Sequence, residues 1–251
     1  MRTPISVIAL ATACLLVSGS AAQAAEIRVL ASNGIKEAVE ALGAQFQKAS
    51  GDTLSTDFST SATIKERIEK GEAFDVAIVT DDVVDALIKS GALTSSMRTE
   101  LARVGIGVGS RKGAPRPDIG TGASLKEALL RARSVAYTGN GASRPAIDRM
   151  FALLGISREM AAKAHLVGPG EGPASVAKGE SELAITLVSE ILPIEGVVVA
   201  GPLPPEFQDY LGFSAALGAR SAKAPAVQAL IKFLDAPAAA ATYKAKGMEA
   251  R

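Results

Sequence analysis

Cysteine is nearly missing from this chain. Its single cysteine, Cys14, lies in the apolar stretch 5–17 near the N-terminus. That stretch reads as the core of a secretory signal. Arg2 supplies the positive n-region, and Ala22-Gln23-Ala24 is an A-x-A cleavage site. Cleavage there makes 1–24 a signal peptide and starts the mature chain at Ala25. The secreted protein then has no cysteine, hence no disulfide, thiol nucleophile or thiolate metal site. A lipid anchor on Cys14 fits poorly, because Ala11-Thr12-Ala13 is a weak lipobox and the apolar run continues past it. The run is also too short for a membrane anchor, and no later stretch approaches the ~20 apolar residues of a span. The expected location is the periplasm.

Histidine and the large aromatics are scarce too. There is one histidine, no tryptophan, and the aromatic share is 4%. So few rings argue against a stacking site for sugars or bases. With one histidine and no mature cysteine, nucleophile–base–orienter chemistry lacks its usual parts. No Ser or Asp motif surrounds His165, which reads as an ordinary satisfied histidine, and the expectation is that the chain is not an enzyme. Charge of one sign is missing as well. There are 27 basic and 26 acidic residues, and loss of Arg2 leaves 26 against 26. A balanced chain has no broad basic face for nucleic acid, so any preference for anions is local. Asp81 and Asp82 follow a strand end, but adjacent carboxylates point in different directions. They read as helix caps rather than metal ligands, and neither a metal nor a cofactor is expected.

What is present is a large apolar share, 48%, and three loops of small polar residues. The loops are Ala31-Ser32-Asn33-Gly34, Ser59-Thr60-Ser61-Ala62 and Gly139-Asn140-Gly141-Ala142-Ser143-Arg144-Pro145. Each follows an apolar, strand-like run and leads into a helical pattern. A helix N-terminus offers free backbone N–H groups and the positive end of the helix dipole, which with a hydroxyl makes an anion site. The simpler reading of each serine is an N-cap, and Pro145 as a first helical residue makes that reading apt for Ser143. Three such loops together suggest one cleft around one anion.

Patterning places strands at 26–31, 54–58, 74–79, 103–109, 134–138, 165–167, 184–188, 197–200 and 209–217. Helices fall at 35–50, 63–70, 82–90, 124–133, 145–154, 175–178, 225–235 and 238–246. Strand 74–79 is almost continuously apolar, as suits a parallel strand covered on both faces. Alternation of strands and helices implies an α/β fold with mainly parallel sheets, whose ligands sit at the C-terminal strand edges. The first two loops belong to the N-terminal half and the third to the second half, so a shared site lies between two lobes. A Pro/Gly-rich break after Gly109 and the extended run at 209–217 set the expected bounds. Lobe one is 25–108 plus 208–251, lobe two is 109–207, and two hinge strands join them. Glu171 and Gly172 lie in a loop placed to close over a ligand.

These features resemble the periplasmic solute-binding proteins of ABC importers, in particular the molybdate-binding branch of the type II fold. The resemblance spans essentially all of the mature chain. Ala31-Ser32 matches the Ala-Ser that ends the family's first strand. Phe58, Ser61, Ile68, Glu69, Gly71, Asp75 and Val76 fall in the order of the family's Phe-x-x-Ser-x-x-x-x-x-Ile-Glu-x-Gly-x-x-x-Asp-Val. Phe233-Leu234 through Pro237 to Lys246-Gly247 is similar to its tail. The resemblance implies that Ser32, with Asn33 beside it, and Ser61 hold an oxyanion. Backbone donors of the second lobe, around Asn140 and Ser143, complete the site. It implies a molybdate- or tungstate-like ligand, a membrane permease as partner and a monomeric protein. Two departures stand out. The family's Gly-Ile-Val-Tyr appears here as Ala184-Ile185-Thr186-Leu187, without the tyrosine, and Arg144 replaces a usual glycine. A guanidinium suits a carboxylate, so a small organic carboxylate is the alternative ligand. A ligand-sensing role for a signalling partner is the alternative use of the same fold.

Overall fold

The computed structural model describes residues 24–251. The signal peptide expected at 1–24 falls almost wholly outside the described residues. The chain opens with β1 (Glu26–Ser32), a 3-10 turn (Asn33–Ile35) and α1 (Lys36–Ser50). On α1 the helical spacing of Val39, Leu42 and Phe46 buries one face against the sheet. Next come β2 (Thr53–Ser59), α2 (Ser61–Glu69), β3 (Val76–Thr80) and α3 (Asp81–Lys89). β1 pairs in parallel with both β2 and β3. Every residue of β3 is buried, which explains its unbroken apolar run.

The second half repeats this plan. After β4 (Thr99–Arg111) come α4 (Gly122–Arg131), β5 (Val135–Thr138), α5 (Arg144–Leu154) and α6 (Ser157–Lys163). β6 (Ala164–Val167), α7 (Gly172–Lys178), β7 (Leu183–Leu187), α8 (Val188–Ile191) and β8 (Val197–Pro202) follow. β5 pairs in parallel with β6 and β7. The chain returns through β9 (Tyr210–Leu217), α9 (Ala224–Leu234), α10 (Ala240–Ala245) and β10 (Glu249–Ala250). The strand order is β2-β1-β3-β9-β4-β7-β5-β6, with β8 and β10 also on β4. Two three-stranded parallel blocks thus face each other across antiparallel strands, in a two-lobed α/β fold.

β4 links the blocks. Its residues 99–105 pair with β9, and 106–110 pair with β7. Patterning predicts this strand only at 103–109. The pairing on both sides extends it, since each end finds a partner in a different block. At the changeover the Gln208 side chain bonds both backbone groups of Ile106. The Ile106 N–H donates to Oε1 at 2.9 Å, and Nε2 donates to the Ile106 carbonyl at 3.0 Å.

Two helices and a strand are absent from the sequence reading: α6, α8 and β10. α8 has four residues, too few for helical periodicity to register, and the run 184–188 reads as strand to its end. In the structure the strand stops at Leu187, and Val188 starts the helix. Gly105, Gly107 and Gly109 leave one face of β4 bare, and α8 settles there. A Cβ on Gly107 would meet Val188 at 2.9 Å, and one on Gly109 would meet Ile191 at 3.2 Å.

Candidate functional site

The three polar loops end β1, β2 and β5, all at C-terminal strand edges, and they converge. Thr60, not Ser61, caps α2, its hydroxyl accepting from the Thr63 N–H at 3.1 Å. Ser61 is thereby released from capping. Its oxygen accepts from the Thr80 N–H at 3.1 Å, so its own proton remains to be donated. Ser32 and Ser143 are buried residues with no cap hydrogen bond, in contrast to the simple N-cap reading.

These three hydroxyls line one cavity of about 30 Å³. β1 and α2 contribute Ser32, Asn33, Gly34, Thr60 and Ser61. The opposite block contributes Thr138, the run 141–143, Gly170, Thr186, Leu187 and Glu190. One water needs about 10–15 Å³ of such space, so the cavity takes one compact group. Ser61, Gly141 and Ala142 also line an adjoining cleft of about 660 Å³, into which the cavity opens.

The blocks are drawn together over this space. Ser189 Oγ donates to the Gly34 carbonyl at 2.6 Å, and Asn140 Nδ2 reaches Thr63 Oγ1 at 3.4 Å. Gly34 has to be glycine in this arrangement. A Cβ there would lie 2.5 Å from Phe213 Cζ and 2.6 Å from Leu187 Cδ1.

Of the residues singled out from sequence, Ser32, Asn33, Ser61 and Ser143 line the cavity, and Asn140 stands at its mouth in the adjoining cleft. Arg144 does not line it but, like Asn140, lines the adjoining cleft. Its Nε bonds both oxygens of Asp148 at 2.8 Å, and its guanidinium lies 5.0 Å from the centre of the Tyr137 ring. Glu171 turns back on its own loop, accepting from the Gly168 N–H at 2.9 Å. Gly172 is buried at the start of α7, while the neighbouring Gly170 is the residue of that loop that lines the cavity. His165 meets Ser181 Oγ at 2.6 Å, away from the cavity. Asp81 serves structure, accepting from Ser214 Oγ at 2.6 Å and pairing with Arg251. Among the described residues no group of His, Cys, Asp and Glu side chains is arranged to hold a metal.

The residue that sequence reasoning missed is Glu190. It is the only ionisable side chain lining the cavity among the described residues. Burial pushes its carboxyl above the usual carboxylate range, opposed by hydrogen bonds from the Thr186 hydroxyl and the Leu187 N–H. The Gly-x-Gly-x-Gly run at 105–109 was the available signal. A bare strand face implies that something packs closely on it, and here that is the helix bearing Glu190.

A two-block α/β fold with hydroxyls from three strand-to-helix loops around one cavity defines a solute-binding protein. The chain belongs to the family of bacterial extracellular solute-binding proteins, whose pattern matches residues 27–249. It is 27% identical to an aconitate isomerase from Pseudomonas sp over 249 residues, covering 96% of this chain and 95% of that protein. It is also 27% identical to the molybdate-binding protein ModA of Azotobacter vinelandii over 234 residues, covering 90% and 91%. The solved structure of the Azotobacter vinelandii periplasmic molybdate-binding protein shares the fold, with a TM-score of 0.75 at 18% identity. That match covers 88% of this chain and 98% of the other.

Proposed function

We propose that this chain is the periplasmic solute-binding component of an ABC importer. It captures one small anion, a molybdate- or tungstate-like oxyanion, between two lobes and presents it to a membrane permease. The lobes are 25–108 plus 208–251 and 109–207, and the chain is secreted through its N-terminal signal. The observation carrying this reading is the convergence of Ser32, Ser61 and Ser143 on one cavity. No lysine or arginine lines that cavity among the described residues. Neutral hydrogen-bond donors suit a compact oxyanion, because hydroxyl and backbone N–H groups can surround it without demanding one orientation.

Calorimetry with molybdate, tungstate, sulfate and small di- and tricarboxylates tests this. Hydrogen bonds to a charged group contribute roughly 1.5–3 kcal/mol. Ser32→Ala and Ser61→Ala are therefore each expected to weaken binding about tenfold to a hundredfold. Wild-type affinity in both variants would remove the proposed site.

One observation favours a second reading. Glu190 places an acid–base group in the same cavity, and one relative is named an aconitate isomerase. On this reading the ligand is a small unsaturated carboxylate. The Glu190 carboxylate takes a proton from a carbon next to the double bond, the C–H electron pair shifts the double bond by one position, and the proton returns at the other end. Proton NMR of such carboxylates in D2O reads this directly, as exchange and interconversion that Glu190→Gln abolishes.

A further inference from the structure

Glu190 has a use beyond the three hydroxyls, on the reading that this cavity captures an anion. Its carboxyl lines a small cavity in which every other lining group is neutral. A carboxylate facing an anion in such a space repels it, whereas a carboxylic acid donates a hydrogen bond to it.

We infer that Glu190 is a ligand-binding residue that donates from its neutral acid form, so that each anion is captured together with one proton.

Among the described residues, the elements packed on α8 offer no free cation to pair with an ionised Glu190. Its own helix has no other ionisable residue. β7, β8 and the turn Asn33–Ile35, all packed on it, have none either. β4 carries three, each engaged elsewhere. Glu100 pairs with Arg98 and Arg251, Arg103 pairs with Glu249, and Arg111 donates to the Val176 carbonyl. Gly247 approaches Val188, but the adjacent Lys246 is held by Glu37 at 3.6 Å. One Glu190 oxygen accepts from Thr186, which fixes the carboxyl while a neutral acid keeps its proton for the ligand. Burial raises the proton affinity in the direction this role requires, against the Thr186 and Leu187 donors, which favour the ionised form.

The sign follows from linkage. Below the proton affinity of Glu190 in the free protein, affinity for the anion is at its full value. Above it, affinity falls up to tenfold per pH unit. The test is calorimetry with sulfate, which carries no titrating proton of its own from about pH 5 to about pH 9, and with molybdate. Wild type, Glu190→Gln and Ser61→Ala are compared in two buffers of different ionisation heat. The expected result for wild type is falling affinity with rising pH and uptake approaching one proton per anion. Glu190→Gln is expected to bind several-fold weaker at the acid end and tighter than wild type at the alkaline end, with no proton uptake. Ser61→Ala should weaken binding yet keep the wild-type slope. Wild-type binding that is flat with pH and takes up no proton would overturn the role of Glu190 while leaving the capture reading intact. Absence of binding to any anion in the wild type at every pH would overturn both.

Discussion

Asp75 shows how a residue of the family-like motif serves structure. It sits just before β3 and is nearly buried, yet its carboxylate accepts three bonds. These come from the Arg28 N–H at 2.8 Å, Ser221 Oγ at 2.7 Å and Lys223 Nζ at 3.0 Å. Burial alone would raise its proton affinity, but these donors outweigh it and hold the carboxyl below the usual range. A carboxyl depressed in the folded state stabilises the fold above its unfolded-state value, and that stability is lost as pH falls through the folded value. Asp75→Asn is therefore expected to lower stability by about 1–3 kcal/mol at neutral pH. It should also flatten the acid limb of the stability profile, measured by urea unfolding across pH. Arg144 is likewise held locally: Asp148, one helical turn on, engages its guanidinium, while Arg144 lines the cleft beside the cavity.

At the scale of elements, the decisive pairing is α8 on β4. The glycine stripe of β4 lets a four-residue helix lie directly on the strand, which brings Glu190 into the cavity and Ser189 to the Gly34 carbonyl. Val188 would meet a Cβ at Gly107 at 2.9 Å, and the Gly201 carbonyl would meet it at 3.0 Å. Gly107→Val therefore overpacks a site with backbone on one side. It is expected to destabilise the protein by about 1–3 kcal/mol. Because it lifts α8, it should also weaken anion binding more than its loss of stability alone explains. Thermal unfolding with and without anion, alongside calorimetry, separates the two effects. A variant as stable as wild type would show that the helix is not seated by the stripe.

For the whole molecule, three side-chain bonds join the two blocks. Ser189 to Gly34, Asn140 to Thr63 and Arg149 to Asp209 at 2.9 Å all bridge residues far apart in the chain, the first two directly over the cavity. The capture reading predicts that the blocks close around an anion by hinge motion at β4 and at the return through Gln208, excluding water and completing the donors from both sides. Gly34 is a contact point between the blocks, with Leu187 of the other block and Phe213 of β9 both against it. Gly34→Ala is expected to hold the blocks apart. Small-angle scattering of the wild type should show compaction on adding its anion, and the variant should stay extended and bind at least tenfold weaker. Compaction equal to wild type would refute Gly34 as the point of closure.

Much was legible without the structure. Alternating strand and helix patterns give the α/β class because each periodicity follows from which side chains must be buried. The loops around Ser32, Ser61 and Ser143 were visible because small polar residues between a strand and a helix are set by local backbone chemistry. Local patterns do not say which way a long side chain turns. The structure decided that Arg144 pairs with Asp148, that Thr60 rather than Ser61 caps α2, and that Glu171 folds onto its own loop. It also decided that Glu190 joins the site. A four-residue helix leaves no periodic trace, and its position depends on two glycines, Gly107 and Gly109, some eighty residues earlier in the chain. Contacts between residues so far apart exist only once the chain has closed on itself.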